Sequence, residues 1–187
     1  MKAQDLAHYI INRSIDNQTY IGNLQLQKIL YFVNLLYLHD SKKFLVEDEF
    51  EAWLHGPVIP EIYNEFFLYG GNKIYSKVNQ DKEFLLTNID NILIIGEDLN
   101  TINKSIDYLC ALEPSILVKY SQAGSSAWYH TLCTNKDKET RMPIKNELIL
   151  LEAGIFYQNA TSNELLVKKE KELEDIDIDV DYIKPFC

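Results

Sequence analysis

The chain has 187 residues, 47% of them apolar, enough for one globular domain that buries about 70% of its unfolded surface without staples. Asp and Glu number 28 against 18 Lys and Arg, a formal net charge of −10, and Arg13 and Arg141 are the two arginines. Bidentate reading of phosphates and guanines favours arginine, so direct nucleic-acid binding is not expected, and a basic or amphiphilic protein partner suits the chain better. Cys110, Cys133 and Cys187 are odd in number and widely spaced, as expected for a reducing, cytoplasmic setting. The run from Ile29 to Leu38 contains Asn34 and is ten residues long, half of what a membrane span needs.

In chain order, Leu6, Ala7, Ile10 and Ile11 recur at helical spacing and predict an amphipathic helix from Ala3 to Ile15. Asn23 is the expected N-cap of a second helix over 24–38, in which Leu26, Ile29, Leu30, Val33, Leu36 and Tyr37 follow the helical period. This is the strongest periodicity in the chain, so this helix should be the centre of the core. Phe50, Ala52 and Leu54 alternate with Glu49, Glu51 and Trp53, which predicts a short strand at 50–54 that Gly56-Pro57 ends. Pro60 suits a first helical position, and Ile62, Tyr63, Phe66 and Phe67 carry that helix to Gly70-Gly71.

Ile74 to Val78 and Ile92 to Ile95 are weaker strand candidates. Leu99, Ile102, Ile106 and Leu109 mark a further helix before Pro114, and Ile116 to Tyr120 a short one. Pro143 is expected to open a last long helix with Ile144, Leu148, Leu151 and Ile155 on one face. The fold class is therefore mostly α (α+β), one helical domain over 1–160 with a small β element. An acidic extension over 161–187 follows it, whose stretch 164–181 carries eight acids and three lysines, a net −5.

Catalytic patterns are missing. His8, His39, His55 and His130 show no ligand spacing, and no phosphate-binding glycine loop or nucleophile elbow occurs, so no metal and no cofactor is expected. Ser125 and Ser126 near His130 have no orienting third group and read as an ordinary loop.

What remains is Leu26-Gln27-Lys28-Ile29-Leu30-Tyr31-Phe32, followed by Phe50-Glu51-Ala52-Trp53-Leu54-His55-Gly56-Pro57-Val58-Ile59-Pro60-Glu61-Ile62-Tyr63. Leu26, Leu30 and Val33 are core positions, and Pro57 and Pro60 restrict the backbone where it turns into the next helix. Lys28 is expected to snorkel beside a carboxylate. Trp53 and Tyr63 are large amphipathic side chains that serve either a core or a binding surface.

The pair LQKILYF and FEAWLHGPVIPEIYNEF at this separation resembles the Panacea family, also known as SocA-like antitoxin domains, over about Ala3 to Gln158. Family members often carry a histidine near Ser121-Gln122, where this chain has Gln122. The resemblance implies a cytoplasmic, non-enzymatic protein that neutralises a cognate toxin by direct binding. The alternatives are a phage or mobile-element regulator or protease adaptor that binds a host protein, and, further off, an enzyme of uncharacterised type. Tyr31, Trp53, His55 and Tyr63 are the candidate partner-binding residues.

Overall fold

The computed structural model describes residues 1–78, 97–133 and 141–158. The Ile92–Ile95 strand candidate and the acidic extension lie outside the described residues. Among those described there are seven α-helices: α1 (Ala3–Asp16), α2 (Asn23–Ser41), α3 (Pro60–Glu65), α4 (Glu97–Ala111), α5 (Pro114–Ser121), α6 (Ala127–Cys133) and α7 (Asn146–Gln158). A 3-10 turn, Phe67–Tyr69, follows α3, and three short strands, β1 (Glu51–Trp53), β2 (Gly56–Val58) and β3 (Met142–Pro143), complete the fold. The chain is mostly α with a small β element.

The central helix is α2, which packs against α1, α3, α4, α5, α7 and β2. Leu26, Ile29, Leu30, Val33, Leu35 and Leu38 are buried on it, and so are Gln25, Gln27, Lys28 and Asn34. The apolar residues drive the burial, and the buried polar ones are kept by hydrogen bonds that tie loops to the helix. Gln25 Nε2 donates to the carbonyls of Cys110 (3.1 Å) and Leu112 (2.8 Å) at the end of α4. Asn34 Oδ1 accepts from the amides of Leu45 (2.9 Å) and Val46 (3.2 Å) in the connection to the sheet. Across the domain, Arg13 clamps α1 to α4 with two bonds of 2.6 Å to Asp107.

The strand order is β2-β1-β3, antiparallel throughout, with Ala52 opposite Pro57 on one side and Met142 on the other. Both prolines of the sheet, Pro57 and Pro143, sit on the outer strands, where a missing amide costs no ladder bond.

Four expectations need correction. Asn23 is the first residue of α2 rather than its cap, and its side chain donates to Tyr63 O (3.0 Å). Gly56-Pro57 does not end the sheet, because both residues belong to β2, the return strand of a hairpin. Ile74 to Val78 forms no strand, although Lys73 bridges to Gly22 and Ile74 is fully buried. Pro143 lies in β3, so α7 begins at Asn146 and turns Ile149, Glu152 and Ala153 inward while Leu150 and Leu151 face outward. No described helix is long and apolar enough to cross a membrane.

Candidate protein-binding surface

The hairpin β1–β2 turns through Leu54-His55 and is held from below at several points. Lys28 Nζ donates to Pro57 O (2.7 Å), and the neighbouring Gln27 Oε1 accepts from Ile59 N (3.0 Å). Gln122 Nε2 donates to Leu54 O (2.8 Å) and Trp128 Nε1 to Trp53 O (2.7 Å). Gly56 adopts φ +97°, a conformation that costs a side-chain-bearing residue dearly. A Cβ there would also overlap Ser121 Oγ and press on Lys28 Cε and Nζ at 3.0 Å. The sequence element with glycine, proline and lysine is thus a close three-way contact of β2, α2 and α5.

Lys28 is 0% exposed. It meets a backbone carbonyl, which corrects the expectation of snorkelling beside a carboxylate. Burial disfavours the ammonium and pushes its pKa down to about 7.

Above this support lies an aromatic array. The half-buried Trp53 donates through Nε1 to Glu51 Oε2 (2.7 Å), while the guanidinium of the exposed Arg141 stacks 4.5 Å above its ring. The half-buried Tyr63 of α3 lies 4.9 Å from Trp53 between ring centres, and Phe67 lies 5.9 Å beyond Tyr63. Phe67 is 58% exposed and the adjacent Leu68 is 94% exposed. His55 is exposed at the hairpin turn. On the other flank of α3 an open cleft of about 670 Å³ is lined by Glu47, Asp48, Glu61 and Glu65 together with Lys2, Gln4 and Ile62.

Of the four candidate residues, Trp53 and Tyr63 belong to this array, and His55 is exposed at the adjoining hairpin turn. Tyr31 belongs to neither: it is 0% exposed and packs edge-on against Phe50 at 5.1 Å. Its hydroxyl donates to the buried Glu152, whose Oε2 also accepts from Ala127 N (2.7 Å). Burial pushes the Glu152 carboxyl up to about 7, partly offset by those two donors. Because Ala127 opens α6 and Trp128 holds Trp53, the Tyr31–Glu152 pair steadies the surface without touching it.

Sequence reasoning missed Phe67, Leu68 and Arg141 as surface components. The signal available for the first two was an aromatic i, i+4 pair, Tyr63 and Phe67, beside an aliphatic residue at a glycine-terminated helix end. Ser126 follows the loop reading, its hydroxyl accepting from Tyr129 N (3.1 Å) as the cap of α6. Among the described residues no group of three or more His, Cys, Asp or Glu side chains is placed to hold a metal ion.

Comparison with known proteins matches residues 26–129 to the family described as antitoxin SocA-like, Panacea domain, a stretch that spans α2, the hairpin, α3 and the start of α6. The chain belongs to this family. It is 30% identical over 129 residues to the antitoxin SocA of Caulobacter vibrioides (strain NA1000 / CB15N), covering 67% of this chain and 68% of that protein. No solved structure matches it. In this Panacea chain the matched region contains the hairpin, its buried support and the whole Trp53–Tyr63–Phe67 array.

Proposed function

We propose that this chain is an antitoxin that neutralises a toxin by direct, stoichiometric protein–protein binding, without an enzymatic step. Trp53, His55 and Tyr63 supply the contact face, extended by Phe67 and Leu68. Tyr31 contributes from behind, through Glu152. The observation that carries this reading is the half-exposed aromatic array on a hairpin locked from below. Large amphipathic rings held rigidly lose little entropy on binding, and such residues dominate interface energetics. Membership of the SocA-like family supports the antitoxin role, and the relative in Caulobacter vibrioides is itself named an antitoxin. The acidic stretch 164–181, with its net −5, acts on encounter rate, because exposed charge is screened beyond about 8 Å at physiological salt.

The test is co-expression with each neighbouring reading frame that arrests growth by itself, followed by titration of the purified pair. Phe67→Ala and Tyr63→Ala should each weaken binding by about 2 kcal/mol, mainly through faster dissociation, with an unshifted melting temperature for Phe67→Ala. His55→Ala tests the hairpin turn in the same way. If every folded variant rescues growth and binds like the parent, this face is not the interface.

A further inference from the structure

The exposed side of α3 has two unlike flanks. Tyr63 and Phe67, one turn apart, continue the aromatic array from Trp53, whereas Glu61 and Glu65, also one turn apart, line the acidic cleft with Glu47 and Asp48. Leu68 projects almost wholly into solvent at the end of this ridge. An apolar edge of this kind invites an occupant, and charge selects among the candidates. A second copy of the chain would bring the same acids against these, and it carries the same net −10. The chain's own stretch 164–181 is acidic as well. Nucleic acid and anionic membrane surfaces are repelled for the same reason. The remaining partner is a protein segment with an apolar stripe flanked by Lys or Arg. Arg141 shows that the aromatic end accepts a guanidinium, since it stacks 4.5 Å from the Trp53 ring.

We infer that the α3 ridge is the docking surface for a cationic amphipathic segment of the partner, its apolar stripe on Tyr63, Phe67 and Leu68 and its cations in the Glu47–Glu61 cleft. This inference rests on the binding role proposed above and names the chemistry of the partner. Asp48 and Glu65 are already engaged, accepting from Ala3 N (2.7 Å) and from Gln4 Nε2 (3.0 Å) respectively, and Glu65 also meets His8. Glu47, which meets the N-terminal ammonium of Met1 at 3.4 Å, and Glu61 are both exposed, which makes them the charges to vary.

The experiment uses the full chain and three labelled synthetic helical peptides. These share one leucine stripe and carry Lys, Gln or Glu on the polar face. At low salt the Lys peptide should bind about tenfold tighter than the Gln peptide, and the Glu peptide weakest. Phe67→Ser/Leu68→Ser should lose about tenfold for the Lys peptide with an unchanged melting temperature. Glu47→Gln/Glu61→Gln should weaken it more than Asp40→Asn/Glu147→Gln, which removes the same two charges elsewhere on the exposed surface. The inference is overturned if the Lys and Gln peptides bind alike, if both charge pairs weaken binding equally, or if the serine variant binds like the parent. Toxin rescue lost in the serine variant, with peptide binding blind to charge, would leave the antitoxin reading and remove this one. Charge-selective peptide binding at the ridge with rescue intact in that variant would overturn the claim that the toxin docks here, while leaving the antitoxin role standing.

Discussion

Replacing Lys28 by Met should stabilise the protein at neutral pH, although it deletes a hydrogen bond. The amine is fully buried, donates to Pro57 O at 2.7 Å, and has its pKa lowered from 10.5 to about 7 by burial. Between those two values the unfolded chain holds the proton and the folded chain does not, so stability rises with pH across that window. Above pH 10.5 the penalty is gone; as pH falls through 7 it is present in full. A difference of that size corresponds to about 5 kcal/mol between the two limits, most of it falling between pH 7 and pH 10. Met matches the length of the lysine stem without the charge, and the carbonyl it leaves unpaired costs about 1–3 kcal/mol. The net gain at pH 7 is then about 2 kcal/mol, turning to a loss by pH 10. Urea denaturation of both proteins across this range measures it, and subtracting the two curves removes the groups they share. Parallel curves, or a destabilised Lys28→Met at pH 7, would refute the claim that a buried ammonium is what Lys28 costs the fold.

Glu152→Gln should flatten the stability profile on the acid side. With the carboxyl pKa raised from 4.5 to about 7, the contribution of Glu152 to stability is full below pH 4.5 and is lost as pH rises through 7, a slope the glutamine variant should lack in denaturation titrations. Gly56→Ala should cost about 3 kcal/mol or more, combining positive-φ strain with overlap on Ser121, and Ser121→Ala in the same chain should recover part of it in thermal melts. Asn34→Ala should cost about 2 kcal/mol, because the amides of Leu45 and Val46 lose their acceptor. Hydrogen exchange at those two amides should accelerate before the rest of the core does; unchanged exchange would sink that account.

Where one face of a helix is apolar and the other polar, periodicity located it: α1 through Leu6, Ile10 and Ile11, α4 through Ile102 and Ile106; α2, buried on nearly every side, was legible through the helical spacing of Leu26, Leu30 and Val33. It failed on α7, whose LILLEAGIF run is apolar nearly all round and has no stripe to read. There the decision falls to Glu152, drawn inward by Tyr31 and Ala127, which rotates Ile149 and Ala153 into the core and Leu150 and Leu151 out of it. A glutamate reads as surface in any single sequence, so this rotation was not legible. The same holds for Lys28, whose partner is a carbonyl that sequence cannot display. Pro143 was ambiguous in kind, since the residue that opens a helix also tolerates an outer strand. In the candidate site, Trp53, His55 and Tyr63 stand out in the sequence as aromatic and polar types near a turn, and Tyr31 shares their type; burial, which sequence does not display, separates Tyr31 from them.

The buried polar residues of α2 explain how so small a sheet presents a defined face. Gln25 reaches the end of α4, Gln27 the amide of Ile59, Lys28 the carbonyl of Pro57, and Asn34 the connection at Leu45 and Val46. These contacts fix a helix end, an outer strand and two connections, the segments that apolar packing specifies least, because packing acts over area without direction. Such groups add little net stability, and in the case of Lys28 subtract from it at neutral pH, so their return lies in orientation. Two of the four bonds flank the turn from β2 into α3, the segment that sets Trp53 against Tyr63 at 4.9 Å. A ring array held this way meets its partner already ordered, and the rotamer entropy that a flexible surface would lose on association, about 0.5–1.5 kcal/mol per side chain, has been lost during folding. Lys28→Met therefore carries a second consequence for the proposed interface. If it stabilises the fold while loosening the hairpin, partner affinity should fall as the melting temperature rises, a divergence that a purely structural lysine would not produce.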